Sequence, residues 1–392
     1  MLTRLVIVGG GIGGLATALA TARHGHEVVV LERQPEFNEL GAGIQLAPNA
    51  FGALDRLGVG EKVRERAVFV EQLRLMDGIN GQLIVRMDLR GDFRHRFDKP
   101  YAVVHRLDMY EPLLRACRQV ESITLHSGCP VQRYERDGTG VAAVLESGGR
   151  VCGTALIGAD GLRSRIRGQL IGDGSPKISG HTAYRSVIPM EDIPKELRLN
   201  AATLWMGPGF HVVYYPIAGG KSCNIVAIVD NGARQEVAGL PVQRGEVLDA
   251  FAGVHSKVRV LLERGRDWRS WALYDRDPVP NWSDGPVTLL GDAAHPLLPF
   301  TGQGAAMALE DAVCLGDVLY DERNFVDAFA RFSALRTERT GQVQLISRMM
   351  GDRIYHLAGD QAVERNAVLS ALSQTELLDK IDWLFGHEAL IS

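Results

Sequence analysis

Residues 5–8, "LVIV", form an apolar run with no alternation, the pattern of a central parallel strand buried on both faces. A glycine cluster follows at once. "LATALATARHGHE" is then rich in alanine and leucine, which predicts a helix ending near Gly25. A second apolar run, "VVVLER" at 28–33, completes a βαβ unit of about 30 residues, the opening of a doubly wound sheet.

The pattern changes further along. "RVCGTALIGADGLRSRIR" (150–167) reads as strand, turn and helix, "GPVTLLGDAAHP" (285–296) as strand then loop, and "GQGAAMALEDAVCLGDVL" (302–319) as a helix. Stretches of strand character lie between them, at 68–76, 82–89 and repeatedly from 181 to 230. The fold class predicted is α/β: a Rossmann-like nucleotide-binding domain interleaved with a mostly antiparallel sheet. The nucleotide-binding part comprises 1–70, 101–180 and 271–350, and the inserted part 71–100 and 181–270. Residues 351–392, ending in "DWLFGHE" and a few more residues, read as an amphipathic helical segment that packs on the body or on a partner subunit. A homodimer is the assembly favoured.

Composition narrows the class. The 392 residues are 46% hydrophobic and 23% charged, an ordinary globular balance, and the net charge of −4 gives no general attraction for nucleic acid or anionic lipid. No apolar run approaches the roughly 20 residues that span a bilayer. The five cysteines are scattered and form no metal-ligand spacing, which fits a reducing cytoplasm.

Gly9, Gly11 and Gly14 fill a G-x-G-x-x-G turn, with Glu32 after the second strand. The glycines let a helix N-terminus approach a pyrophosphate, and Glu32 is placed to accept hydrogen bonds from ribose hydroxyls. This much fits NAD or FAD. Two distant elements favour FAD: the Asp160-Gly161 turn, and Asp292 at a strand end followed by a helix N-terminus at 302–305. Asp292 is suited to the hydroxyls of a ribityl chain. The helix N-terminus is suited to the negative charge of a reduced flavin.

Together "GGGIGG" with Glu32 and Arg33, "GAGIQLAPNA" (41–50), "HRLD" (105–108), "GADGLRSRIR" and "GDAAHP" with "GQGAAMALEDA" resemble the class A, single-component flavoprotein aromatic hydroxylases over nearly the whole chain. The resemblance implies FAD contacts from Gly11, Gly14, Glu32, Arg33, Arg106, Asp292 and the backbone of Gly302, Gln303, Gly304 and Ala305, with Gln45 close to the flavin. It implies that the Asp160-Gly161 turn serves both FAD and the reductant, NADH or NADPH. It also implies O2 as co-substrate and insertion of one oxygen atom into an aromatic ring through a flavin C4a-hydroperoxide.

Within the class, "YDRDPVPNW", "PYAVVHR" and the tail are similar to the 3-hydroxybenzoate 6-hydroxylases and their salicylate and hydroxynicotinate relatives. One departure bears on the substrate. Leu298-Pro299-Phe300 stands where the 3-hydroxybenzoate enzymes commonly carry "LQY", which removes a glutamine expected near the substrate phenol or the flavin. A hydroxylated aromatic acid is the substrate class implied, with 3-hydroxybenzoate first. Salicylate, hydroxypyridine or natural-product hydroxylation stays open, as does an FAD oxidoreductase without oxygen insertion.

In "FHVVYYP" (210–216), a period of two puts His211, Val213 and Tyr215 on one face and Phe210, Val212 and Tyr214 on the other. His211 and Tyr215 are the candidate catalytic pair for binding and deprotonating a phenol, and the resemblance sets this strand over the flavin. His295 is read as a loop stabiliser, and no histidine has metal-ligand spacing.

Overall fold

The computed structural model describes residues 3–38, 41–138, 140–322 and 324–386, so the last six residues of the expected tail lie outside it. A six-stranded sheet runs in the order Ser283–Asp284, Val287–Leu289, Ala155–Gly158, Arg4–Val8, Glu27–Leu31, Ile123–His126. All its pairings are parallel except the outer hairpin between Ser283–Asp284 and Val287–Leu289. The continuous apolar runs have the cause proposed for them: Leu5, Val6, Ile7, Val28 and Val30 have no exposed surface, because helices cover both faces.

The first strand lies between Glu27–Leu31 and Ala155–Gly158, so strand order reverses direction there. Ligands in such sheets bind beyond the carboxyl ends of the strands at that reversal. Here those ends are Val8, Leu31, Gly158 and Leu289.

The second large sheet has eight strands, Ala238–Pro241, Arg269–Asp275, Lys177–Pro189, Ser222–Ala233, Phe210–Ile217, Ala201–Gly207, Gln72–Asp77 and Leu83–Asp88 in spatial order. Its pairs are antiparallel except Ala201–Gly207 with Gln72–Asp77. The expected divisions at 180/181 and 270/271 fall inside two of these strands, Lys177–Pro189 and Arg269–Asp275. A small antiparallel meander comprises Val131–Asp137, Gly140–Leu145 and Arg150–Gly153, and only the last of these strands falls in a stretch expected to be strand. Charges such as Arg133, Glu135 and Arg136 break up its apolar pattern.

One face of the eight-stranded sheet covers its own core, with Trp205, Phe210, Val212, Tyr214, Ile225 and Ala227 packed against Val258, Leu261 and Leu262 of the Ser256–Arg264 helix. The other face looks toward the six-stranded sheet. The C-terminal part is helical: Gly304–Asp321, Phe325–Met349 running into a π-helical turn Met350–Tyr355, then Gly359–Ser370 and Gln374–Phe385. Among the described residues no helix is long and apolar enough to cross a membrane.

Candidate active site

The four strand ends and the open face of the large sheet enclose one cavity of about 920 Å³. That is near the upper end of the roughly 300–1,000 Å³ typical of ligand sites. Four of the five parallel strands deliver the loops directly after them, residues 9–13, 32–36, 159–161 and 290–292, and residues 129–131 beyond the fifth also line the cavity. The large sheet contributes Arg185, Leu204, His211, Val213, Tyr215, Val226 and Ile228, and residues 297–300 complete the wall.

Most of the candidate residues meet here. Gly11, Glu32, Arg33, Gln45, Arg106, Asp160, His211, Tyr215, Asp292, Gly302, Gly304 and Ala305 all line the cavity. Gly14 and Gln303 do not. Gly14 sits one turn into the helix Ile12–Ala22, and its role is clearance: a Cβ there would fall 1.9 Å from the Gly9 carbonyl oxygen. The Gln303 side chain turns into the protein, where its Oε1 accepts from Asn49 Nδ2 at 2.9 Å. Asp160 lines the cavity, but its carboxylate is engaged in its own loop, accepting from Ser164 Oγ at 2.5 Å and from the Arg165 N–H at 2.8 Å. That arrangement fastens the start of the Arg165–Leu170 helix.

Two helix N-termini point at this cavity. The helix Ile12–Ala22 begins after Gly11, and Gly304–Asp321 after Gln303; neither has a side-chain cap or an acidic residue in its first turn. Their first N–H groups and positive dipole ends are therefore left for a ligand. Glu32 accepts from the Gly10 N–H and the Gln34 N–H, both at 2.8 Å, which pins the glycine turn to the end of the second strand. A carboxylate has about four acceptor sites, so two ribose hydroxyls can still be bound. A pyrophosphate at one uncapped helix, a ribose at Glu32 and an anionic ring edge at the other helix fit an FAD.

The far end is apolar with a few polar groups. His211 is 2% exposed and Tyr215 3%, and the predicted alternation holds: Val213 joins them on the cavity, while Phe210, Val212 and Tyr214 enter the second core. The backbone at Gly43 lies against the Tyr215 ring, where a Cβ would come within 2.5 Å of Cε2; only glycine permits that approach. Burial pushes the Tyr215 phenol well above its ordinary range, so it remains a hydrogen-bond donor. Burial holds His211 well below the usual imidazole value, with the nearby His356 and His181 acting in the same direction. It is therefore neutral, with one nitrogen able to accept a proton. Tyr101 donates to Gln45 Oε1, fixing that side chain beside Gly302.

Two residues of this end, Arg185 and His356, are not singled out in the sequence, and Phe300 enters there only as part of the Leu298-Pro299-Phe300 departure. Arg185 lines the cavity with its guanidinium stacked 5.2 Å from the Trp271 ring, and its buried Nε has no hydrogen-bond partner among the described residues. Phe300 stands edge-on to His211 at 5.0 Å between ring centroids. His356 bonds to His211 across 145 residues of sequence. A basic residue in an apolar strand was the one available signal, at Arg185.

His295 is turned away, its Nε2 2.5 Å from Asp311 Oδ2 in the protein interior. Asp311 also accepts from Arg336 Nε at 2.7 Å, and Glu310 is held by Arg336, Arg339 and Asn49. These charges lock Gly304–Asp321 onto Phe325–Met349 behind the cavity. Among the described residues no group of histidine, cysteine or carboxylate side chains is arranged to hold a metal ion.

Residues 2–324 match the family described as "FAD binding domain". The chain is 46% identical over 390 residues to 3-hydroxybenzoate 6-hydroxylase 1 of Aquipseudomonas alcaligenes, covering 100% of this chain and 99% of the relative. It is 41% identical to 3-hydroxybenzoate 6-hydroxylase of Klebsiella oxytoca, covering 98% and 96%. Its fold is that of Klebsiella pneumoniae HpxO complexed with FAD and uric acid, with a TM-score of 0.85 at 24% identity over 97% of this chain and 95% of the other. An FAD-dependent aromatic monooxygenase is the class that this fold and this cavity define. The chain belongs to the FAD binding domain family; FAD is its cofactor and a reduced nicotinamide nucleotide its co-substrate.

Proposed function

We propose that the protein hydroxylates 3-hydroxybenzoate at ring carbon 6, consuming one NAD(P)H, one O2 and one proton and releasing 2,5-dihydroxybenzoate, NAD(P)+ and water. The observation that carries this is His211, Tyr215 and Arg185 on one sheet face, walled by aliphatic side chains and Phe300, in the same cavity as the glycine turn. FAD supplies reduction by the nicotinamide and activation of O2. Gly11, Glu32 and Arg33 would hold its ADP half, and Asp292 with the 302–305 backbone its ribityl chain and ring edge.

The remaining chemistry belongs to the chain. Neutral His211 takes the phenol proton, which makes the ring carbon para to the hydroxyl more nucleophilic. Tyr215, fixed as a donor, holds the resulting oxyanion by a charge-assisted hydrogen bond. Among the described residues no carboxylate acts on Arg185, which suits it to the substrate carboxylate. Leu298, Pro299 and Phe300 exclude water in place of the missing glutamine.

A panel of hydroxybenzoates and hydroxypyridines, scored by NADH and NADPH oxidation, O2 uptake and product mass, tests the reading. Stoichiometric 2,5-dihydroxybenzoate from 3-hydroxybenzoate supports it; a different product, or turnover without oxygen incorporation, overturns it. His211→Ala should keep oxidising NAD(P)H while product falls about 100-fold and peroxide rises. Unchanged coupling removes His211 from the chemistry.

A homodimer in the cytoplasm belongs to the same reading. Val363 and Val368 expose 68% and 59% of their surface on the Gly359–Ser370 helix, apolar surface that a second copy could cover, and all five cysteines are free thiols. Sedimentation of the intact chain as a monomer would refute the dimer.

A further inference from the structure

His211 has two ring nitrogens, and the cavity can use only one. Its Nδ1 lies 2.8 Å from Nε2 of His356, which leaves Nε2 of His211 for a ligand. Two neutral imidazole nitrogens at that separation share one proton, one donating and the other accepting. His356 follows the π-helical turn Met350–Tyr355, a distortion that recurs at functional sites. The turn directs His356 back to the strand Phe210–Ile217, where the Gly209 N–H donates to its carbonyl at 3.1 Å.

The surroundings are aromatic and nearly free of charge. Phe300 and Tyr355 each stand 5.0 Å from the His211 ring. His181, on Lys177–Pro189, is 5.4 Å from His356, and its Nδ1 is taken up by Ser179. Asp230 is the carboxylate whose charge reaches His356, and it is exposed at the protein surface. From His211 through half-buried His356 to the Asp230 neighbourhood, the pair runs from cavity to solvent. Burial, with His181 adding to it, brings His356 down to about 4, so both imidazoles are neutral near pH 7 and each offers one N–H and one lone pair.

We infer that His356 is a positioning residue that fixes which nitrogen of His211 is bare and relays the substrate's phenolic proton to solvent. The inference rests on the proposed phenolic substrate. The phenol O–H breaks as an N–H forms at His211 Nε2; the proton on His211 Nδ1 passes to His356 Nε2; the proton on His356 Nδ1 goes to water near Asp230. One proton enters the pair and one leaves, and no electrons change hands. Both rings end neutral with their tautomers exchanged. The hydrogen bond between them persists with its direction reversed, so neither ring has to move, and the pair is reset when a product oxyanion takes the proton from His211 Nε2 and His356 Nδ1 regains one from water.

The test is anaerobic stopped-flow mixing of the FAD-loaded, oxidised enzyme with 3-hydroxybenzoate, following the phenolate absorbance and proton release to an indicator dye. His356→Gln can still hydrogen-bond to His211 but cannot pass a proton. Phenolate formation and proton release should slow by about tenfold or more. Substrate affinity should change by less than about threefold, and added imidazole should restore the rate. His356→Asn carries the same test if the glutamine variant does not fold. Normal proton release in either folded variant, or a loss that follows substrate affinity and is not rescued by imidazole, overturns the relay. Failure of the wild-type enzyme to hydroxylate any phenol of the panel overturns the functional reading instead.

Discussion

The pairing of His211 with His356 gives the protein an acid-sensitive point. An unfolded chain protonates its histidines near pH 6.5. In the folded state His211 stays neutral well below that, and His356 down to about 4. Between pH 6.5 and 4 the unfolded state therefore binds more protons than the folded state, and stability falls as pH falls. It is complete above the unfolded value and lost on acidification, the reverse of a histidine that gains a carboxylate partner. Thermal melting from pH 8 to pH 4.5 should show a declining Tm below about pH 6.5, with a shallower decline in His356→Gln. An equal decline in the variant would assign the acid sensitivity to other groups. The same pair marks what sequence can reveal at this scale. The cavity-facing side of "FHVVYYP" was legible because a strand has a period of two, which separates His211 and Tyr215 from Phe210 and Tyr214. His356 was not, because only a π-helical turn brings it to a strand 145 residues away.

At the scale of elements, the most legible features were those whose function depends on the backbone. A glycine turn, a strand end and a helix start are written in local sequence, and four of them meet at one cavity. The support behind them was hidden. The motif containing Glu310 and Asp311 resembled a helix of a known family, but their partners Arg336 and Arg339 lie on the next helix with no local signal. Glu310, Asp311 and Arg336 are almost wholly buried, and pairing with His295 and Arg336 keeps the Asp311 carboxyl down at about 2 despite the cost of burial. Removing one member leaves an uncompensated charge in the interior, which costs about 3–5 kcal/mol. Asp311→Ala should therefore lose stability of that order in urea titrations. It should also weaken FAD binding, since Asp311 accepts from the Gly291 N–H at 3.1 Å, beside Asp292. A loss below about 1 kcal/mol would make the network a surface-like pair of little consequence.

For the whole molecule, the question is whether the C-terminal segment is an appendage for assembly or part of the fold. Its helices grip the edge of the eight-stranded sheet and the helices beside it. Gln374 bonds both ways with Asp88 at the edge of the eight-stranded sheet, and Arg96 pairs with Asp379 and Asp382. Arg339 donates to the carbonyls of Trp383 and Leu384, and Phe385 packs against Phe93, Phe97 and Tyr101, the last of which holds Gln45 in the cavity. Leu377, Leu378, Leu384 and Phe385 are all buried. At about 1.5–3 kcal/mol each, these four side chains alone represent about 6–12 kcal/mol. That is comparable to the roughly 5–15 kcal/mol of net stability of a typical protein. A chain ending at residue 350 should therefore fail to accumulate as folded, FAD-binding protein. If that short chain bound FAD with an unchanged Tm, the tail would be an appendage, and His356 would have no place in the chemistry.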